Sequence, residues 1–270
     1  MKVDKLKYKL KKSFLRDVPA RNHLTVYEDD IFIASYPRSG NTWLRFLIGT
    51  LYSDQTVTWE NMESIVPDIY RCSDKFLREI KRPRILKSHH PFDARYKKVI
   101  YIVRDPRDVL VSFYYFQIKF GNEQDNQNNF NLFFENYVNG KIGDYGSWKT
   151  NIESWKTNKE KVNNGLIFLR YEDILRDTKH SLNEIADFLE IKKSPERIDE
   201  VISLSSFANM KKLENEQSDT ASIFKKSNNE LNFVRQGEVG VWKDLLSKRQ
   251  LEILYLKFGG LMKEFGYEIK

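Results

Sequence analysis

Short apolar runs recur along this chain, and each gives way to a polar or glycine-containing segment and then to apolar residues at helical spacing. The first run is Ile31-Phe32-Ile33-Ala34, which leads through Tyr36-Pro37-Arg38-Ser39-Gly40 into a periodic stretch over about 41–53. Arg84-Ile85-Leu86-Lys87 is a second strand, running into Ser88-His89-His90 and stopped by Pro91. Lys98 to Val103 is a third, mostly β-branched and aromatic. It breaks at Arg104-Asp105-Pro106 into a helix through about Ile118, with Asp105 placed to cap it and Pro106 at its first position. Leu166 to Leu169 is a fourth, followed by Arg170-Tyr171-Glu172-Asp173 and a helix through about Leu189. Leu251, Leu254, Tyr255 and Phe258 space out a terminal amphipathic helix.

Four short apolar strands alternating with helices predict an α/β fold: a single domain with a central parallel sheet flanked by helices on both faces. Ligands of such sheets collect outside the carboxyl ends of the strands. The Arg38 loop, Lys87 to His89, Arg104 and Tyr171 each follow a strand end, so they are expected to converge. Two polar stretches, about 119–131 and 214–232, are expected to be loops able to cover the site.

Composition narrows the classes. The chain has 270 residues, 40% hydrophobic and 14% aromatic, enough for a substantial core. A single cysteine, Cys72, excludes an intrachain disulfide and a cysteine zinc cluster and fits a reducing, cytoplasmic setting. No signal-peptide core and no apolar stretch of ~20 residues is present. The net charge of +7 suggests nucleic acid until it is localised: Lys2, Lys5, Lys7, Lys9, Lys11, Lys12 and Arg16 against Asp4 place +6 in the first 16 residues. Residues 1–30 are therefore read as a basic N-terminal arm and 31–270 as the domain, with no nucleic-acid partner. Val3, Leu6, Leu10 and Phe14 fit a helix, either lying peripherally on a membrane surface or packed on the domain.

The loop after the first strand opens a helix, where unpaired N–H groups and the helix dipole favour an anion. Gly40 allows close backbone approach, Arg38 adds charge, and Ser39, Asn41 and Thr42 add short hydrogen-bonding groups. The Walker A spacing is absent. An ordinary capped turn is the competing reading of that loop alone. Of the four histidines, His89 sits at a strand end beside Lys87, a pairing suited to proton abstraction next to a charge-stabilising cation, and no metal-ligand pattern is present. Arg104 ends a buried strand and calls for an anionic partner, to which Ser112 could add a hydroxyl.

Together these segments resemble the cytosolic-type sulfotransferases. YPRSGNTW is similar to that family's 5′-phosphosulfate loop, LKSHHP to its KTHLP segment, VRDPRDVLVSFYYF to its 3′-phosphate segment, and YED and RQGEVGVWK to later motifs in the same order over about Ile31 to Ser247. The resemblance implies a P-loop-like architecture and sulfuryl transfer from 3′-phosphoadenosine 5′-phosphosulfate (PAPS) to a hydroxyl or amine of a small-molecule, lipid or glycan acceptor, without a metal. It assigns Lys87, His89 and Arg38 to catalysis. It assigns Arg38, Ser39, Gly40, Asn41, Thr42 and Trp43 to the 5′ side, and Arg104, Ser112, Arg235, Gln236 and Gly237 to the 3′-phosphate. Tyr171, Ser205 and Phe207 fall at adenine-side positions, and Trp43 stacks near the base. Three departures stand out: Arg38 replaces a lysine, Gln236 replaces a second cation, and Ser247-Lys248-Arg249 replaces the family's dimer motif, leaving the oligomeric state open. His90 matches a usually apolar position. A P-loop-like ATP-dependent kinase is the competing class, disfavoured by the missing Walker lysine and magnesium-binding Asp. Phe113, Tyr114, Tyr115, Phe116 and Phe120 could wall an acceptor pocket or simply pack in the core.

Overall fold

The sheet has four parallel strands in the order β2-β1-β3-β4, comprising β1 (Ile31–Ser35), β2 (Ile85–Ser88), β3 (Lys98–Val103) and β4 (Leu166–Arg170). The computed structural model describes residues 18–53, 55–121, 129–163, 165–225, 233–234 and 237–268. Because β1 pairs with the next strand on one side and with β3 on the other, the chain reverses direction of growth between β1 and β3. A crevice opens at that point, above the carboxyl ends.

Alternation along the strands feeds two cores. Phe32 and Ala34 of β1 and Val99, Tyr101 and Val103 of β3 face one cluster, while Ile31, Ile33, Ile100 and Ile102 face the other. Every residue of β1 is buried, as a doubly covered parallel sheet requires. In chain order the helices are α1 (Asn41–Tyr52), α2 (Met62–Ile65), α3 (Asp74–Arg78), α4 (Pro106–Phe120), α5 (Phe130–Val138), α6 (Trp148–Thr157), α7 (Tyr171–Arg176), α8 (Thr178–Phe188), α9 (Pro195–Leu204), α10 (Phe207–Gln217) and α11 (Lys248–Glu264). Buried residues of α4, α5, α6 and α11 join the first core, and those of α1, α7, α8, α9 and α10 the second.

The caps follow the sequence. Asp105 accepts from the Arg107 amide with Pro106 at the first turn of α4, and Ser247 and Gln250 form a capping box at α11. Two expectations need correction. The helix expected through Leu189 is two helices, because Asp177 leaves helical geometry and caps α8 by accepting from the His180 amide. The stretch expected as a loop from 214 begins inside α10, where the buried Glu214 carboxylate binds the amides of Phe233 and Val234. The basic arm over 1–17 and the parts of the two polar stretches at 122–128 and 226–232 lie outside the described residues. Among those described, no helix is long and apolar enough to cross a membrane.

Candidate active site

The loop 36–40 turns through two left-handed residues, Arg38 at φ 69° and Gly40 at φ 98°. A side chain at Gly40 is excluded twice over, by that φ and by Tyr171, whose ring would lie 2.4 Å from an added Cβ. Asn41 braces the turn: its Nδ2 donates to Ile33 O at 3.1 Å and Ser35 Oγ at 3.2 Å. Ser39 Oγ and Asn41 Oδ1 are buried without a partner among the described residues, unusual for an interior that satisfies most polar atoms. Such a loop has hydrogen-bonding capacity left for something that is not protein, with the Ser39 hydroxyl able to donate to an anion.

Around it lies one cleft of about 320 Å³, lined among others by Arg38, Gly40, Asn41, Thr42, Trp43, Lys87, His89, Arg104, Ser112, Tyr171, Phe207 and Gly237. The residues picked from four separate strand ends thus share one cavity. Ser39 and Ser205 are not among the lining residues; the Ser205 carbonyl accepts the Trp43 indole N–H at 3.0 Å, and Ser205 Oγ is buried without a partner among the described residues. Trp43 and Phe207 lie with ring centroids 4.7 Å apart. Gly237 has φ 67°, meets the Phe207 ring where a Cβ would go, and accepts from Tyr171 Oη at 3.1 Å. Arg235 and Gln236 lie outside the described residues.

Arg38 donates through Nε to Ser112 Oγ at 3.2 Å, and its guanidinium lies 4.6 Å from the Phe116 ring centroid and 4.9 Å from that of Phe233. Arg104 bonds the carbonyls of Glu238 (3.0 Å) and Arg38 (3.5 Å) and lies over Tyr171, with Nε buried and without a partner among the described residues. It lines the cleft together with Asp108, whose carboxylate its charge favours in the ionised form.

At the other end of the cleft, His89 Nδ1 lies 2.8 Å from Ser35 O. A carbonyl can only accept, so Nδ1 carries the proton and Nε2 is the proton-accepting nitrogen. Burial and then the nearby Lys87 charge push the His89 pKa well below the usual imidazole value. The ring is therefore neutral at pH 7.

Lys87 brings in a residue that sequence reasoning missed. Pro67 to Ile69 add to the outer edge of β2, with Lys87 N donating to Pro67 O at 2.8 Å and Ile69 N to Lys87 O at 3.3 Å. That pairing sets Asp68 Oδ2 2.7 Å from Lys87 Nζ. Burial would raise the Asp68 pKa, but Lys87 and then Arg45 outweigh it and hold the carboxyl at about 2. Burial pulls Lys87 down, against the pull of Asp68 upward. Behind the pair, Glu63 binds Arg45 (3.0 Å), Arg71 (3.4 Å) and the Asp68 amide (2.8 Å). No periodic pattern marks a loop carboxylate of this kind. Only the edge pairing reveals it.

Tyr70 and Tyr145 were missed for the same reason; they pack against His89 at ring-centroid distances of 5.8 and 5.7 Å. Of the aromatics expected around an acceptor, Phe113 and Phe116 do line the cleft, whereas Tyr114 packs on Phe130 and Phe133. Asp108, in the first turn of α4, binds the amides of Gly240 (2.8 Å) and Trp242 (3.4 Å) and so fixes the loop that carries Gly237.

Residues 28–266 match the family model described as the sulfotransferase domain. The chain belongs to the sulfotransferase family. It is 34% identical to sulfotransferase 2A1 of Rattus norvegicus over 248 residues, covering 86% of this chain and 84% of that one. It is 29% identical to the amine sulfotransferase of Oryctolagus cuniculus, covering 89% and 83%. The mouse sulfotransferase SULT7A1, solved in complex with PAP, superposes with a TM-score of 0.68 at 25% identity, covering 96% of this chain and 95% of that one. Membership makes the protein a sulfotransferase, and the kinase reading is set aside. Its cleft sits where the β1–β3 crevice of the sheet predicts.

Proposed function

We propose that this sulfotransferase moves a sulfuryl group from PAPS to a hydroxyl (or amine) of a small-molecule, lipid or sugar acceptor by in-line displacement, with His89 as the base. The observation that carries this reading is that one cleft joins a cation-lined loop with unpartnered polar atoms to a neutral imidazole whose free nitrogen is Nε2. The residues fit the donor. Arg104, Ser112 and Gly237 form the 3′-phosphate end, Ser39 to Thr42 the 5′ end, and Trp43, Phe207, Tyr171 and Ser205 the base end, with Arg235 and Gln236 assigned to the 3′ end by resemblance alone. The relative complexed with PAP supports the same nucleotide class. When bound, the donor supplies an activated sulfuryl group.

The protein's own part is positioning and charge, as in phosphoryl transfer. His89 accepts the acceptor's proton at Nε2, with the Ser35 carbonyl holding the other ring nitrogen. Lys87 and Arg38 set positive charge beside the atoms on which negative charge grows. Ser112 and the aromatic rings of Phe116 and Phe233 keep the Arg38 guanidinium in place.

Titration calorimetry with PAP and with ATP, each with and without magnesium, tests the nucleotide assignment: PAP is expected to bind and ATP to bind far more weakly. Tight ATP binding that requires magnesium, with none by PAP, would overturn it. Arg104→Ala removes charge-assisted hydrogen bonds worth about 1.5–3 kcal/mol, so its PAP dissociation constant should rise about 10- to 150-fold. An unchanged constant would place the 3′-phosphate elsewhere.

A further inference from the structure

We propose that the acceptor is a neutral polyhydroxylated compound, a sugar or sugar-like polyol, packed against the corner formed by Tyr70 and Tyr145 with Asp68 and Arg71 bonding the hydroxyls next to the one that faces His89. The inference rests on the sulfotransferase reading and specifies its substrate class.

The wall around His89 is not that of an apolar pocket. Asp68 is only 5% exposed and lines the cleft together with Lys87 and Arg71. Its two oxygens already hold the Lys87 ammonium and the Tyr70 amide at 2.9 Å, so it is fixed in place and keeps spare lone pairs. Arg71 is held by Glu63 through Nε at 3.4 Å, with a third of its side chain exposed, and its Nε forms no hydrogen bond. Tyr70 Oη is buried and has no hydrogen-bond partner among the described residues. An apolar acceptor closing over these groups would strip water from the exposed part of Arg71 and leave the buried Tyr70 hydroxyl still unpaired, returning a hydrogen bond to neither. A polyol replaces that water hydroxyl for hydroxyl.

The rings supply the rest. Tyr70 and Tyr145 lie 5.5 Å apart at 60° and both flank the imidazole, making an angled aromatic corner against which the C–H face of a sugar can pack. A cationic amine fits less well, because Lys87, Arg71, Arg45 and Arg38 outnumber Asp68 and Glu63 in this region.

The test uses the full chain with radiolabelled donor and four acceptors: a methyl glycoside, a disaccharide, 2-naphthol and a 3β-hydroxysteroid. The expected result is a kcat/KM at least about tenfold higher for one of the two sugars than for the naphthol or the steroid. Higher turnover of the naphthol or steroid, or no turnover of either sugar by protein that binds PAP in calorimetry, would overturn the proposal while leaving sulfuryl transfer standing. Failure to bind PAP would instead sink the underlying reading. Tyr70→Phe removes a hydroxyl that no described residue uses, so the variant should fold as the parent does. Its KM for the sugar should rise about 3- to 10-fold with the PAP dissociation constant unchanged. An unchanged KM overturns the seating against the tyrosine corner.

Discussion

His89→Ala is expected to lower kcat by about 100- to 10,000-fold, the usual cost of losing a positioned base, while PAP affinity changes little. The end of the cleft proposed for the nucleotide includes Arg104, Ser112, Trp43 and Phe207, none of which depends on the imidazole for a hydrogen bond. His89→Asn sharpens the experiment, since an amide can still donate toward the Ser35 carbonyl but offers no basic nitrogen. If Asn retains more than a tenth of parental turnover, His89 is a spacer and not a base. The pH profile gives a second, independent reading. Burial and then Lys87 lower the folded-state pKa of His89, so Nε2 stays free to accept below the ordinary imidazole range. Activity should therefore hold through pH 6.5 and fall only as pH drops through the depressed value, and an acid limb centred near or above 6.5 would contradict the geometry. Stability carries the matching sign. The unfolded chain protonates this residue near pH 6.5 and the folded chain does not, so the protein loses stability as pH falls below that point, a component absent from His89→Ala.

The fold was readable because its strands are short, β-branched and buried on both faces, so each stood out as an apolar run with a polar exit. Ile33 and Ile100 pair in register with no ambiguity of face, since both faces are covered. The cleft's cationic and aromatic lining was readable for a related reason: Arg38, Lys87, His89, Arg104 and Tyr171 all sit at strand exits, where topology forces convergence. Asp68, Tyr70, Arg71 and Tyr145 follow no such rule. They lie on segments outside the named strands and helices whose position depends on tertiary pairing, such as the addition of Pro67 to Ile69 along the edge of β2. Asp108 gives no signal of its role, because a carboxylate in a helix's first turn ordinarily serves the dipole, whereas this one holds the amides of Gly240 and Trp242. Helix α10 escaped for a different reason: its exposed face is polar, and the buried groups that anchor it are Met210 and Glu214, the second of them a charge.

Lys87→Met should abolish nearly all turnover, and the size of the loss has two parts that a second variant separates. In the proposed mechanism the ammonium supplies charge where it develops on transfer, an effect worth about 100- to 1,000-fold in rate when a single preorganised group is removed. The same ammonium neutralises Asp68, which is almost fully buried. Stripping one partner from a buried ion pair costs about 3–5 kcal/mol, a large part of the 5–15 kcal/mol that holds a typical domain together. Lys87→Met is thus expected to lower the melting temperature as well as the rate. The double variant Lys87→Met/Asp68→Asn removes both charges and leaves a neutral amide that can still accept from the Tyr70 amide. It should recover most of the lost thermal stability, read by calorimetric unfolding, without recovering turnover. If the double variant regains activity along with stability, the lysine acts by holding Asp68 and the loop on the β2 edge, and charge stabilisation during transfer falls to Arg38 alone. If neither variant loses stability, the ion pair is not buried in solution and the low pKa of Asp68 has no structural basis.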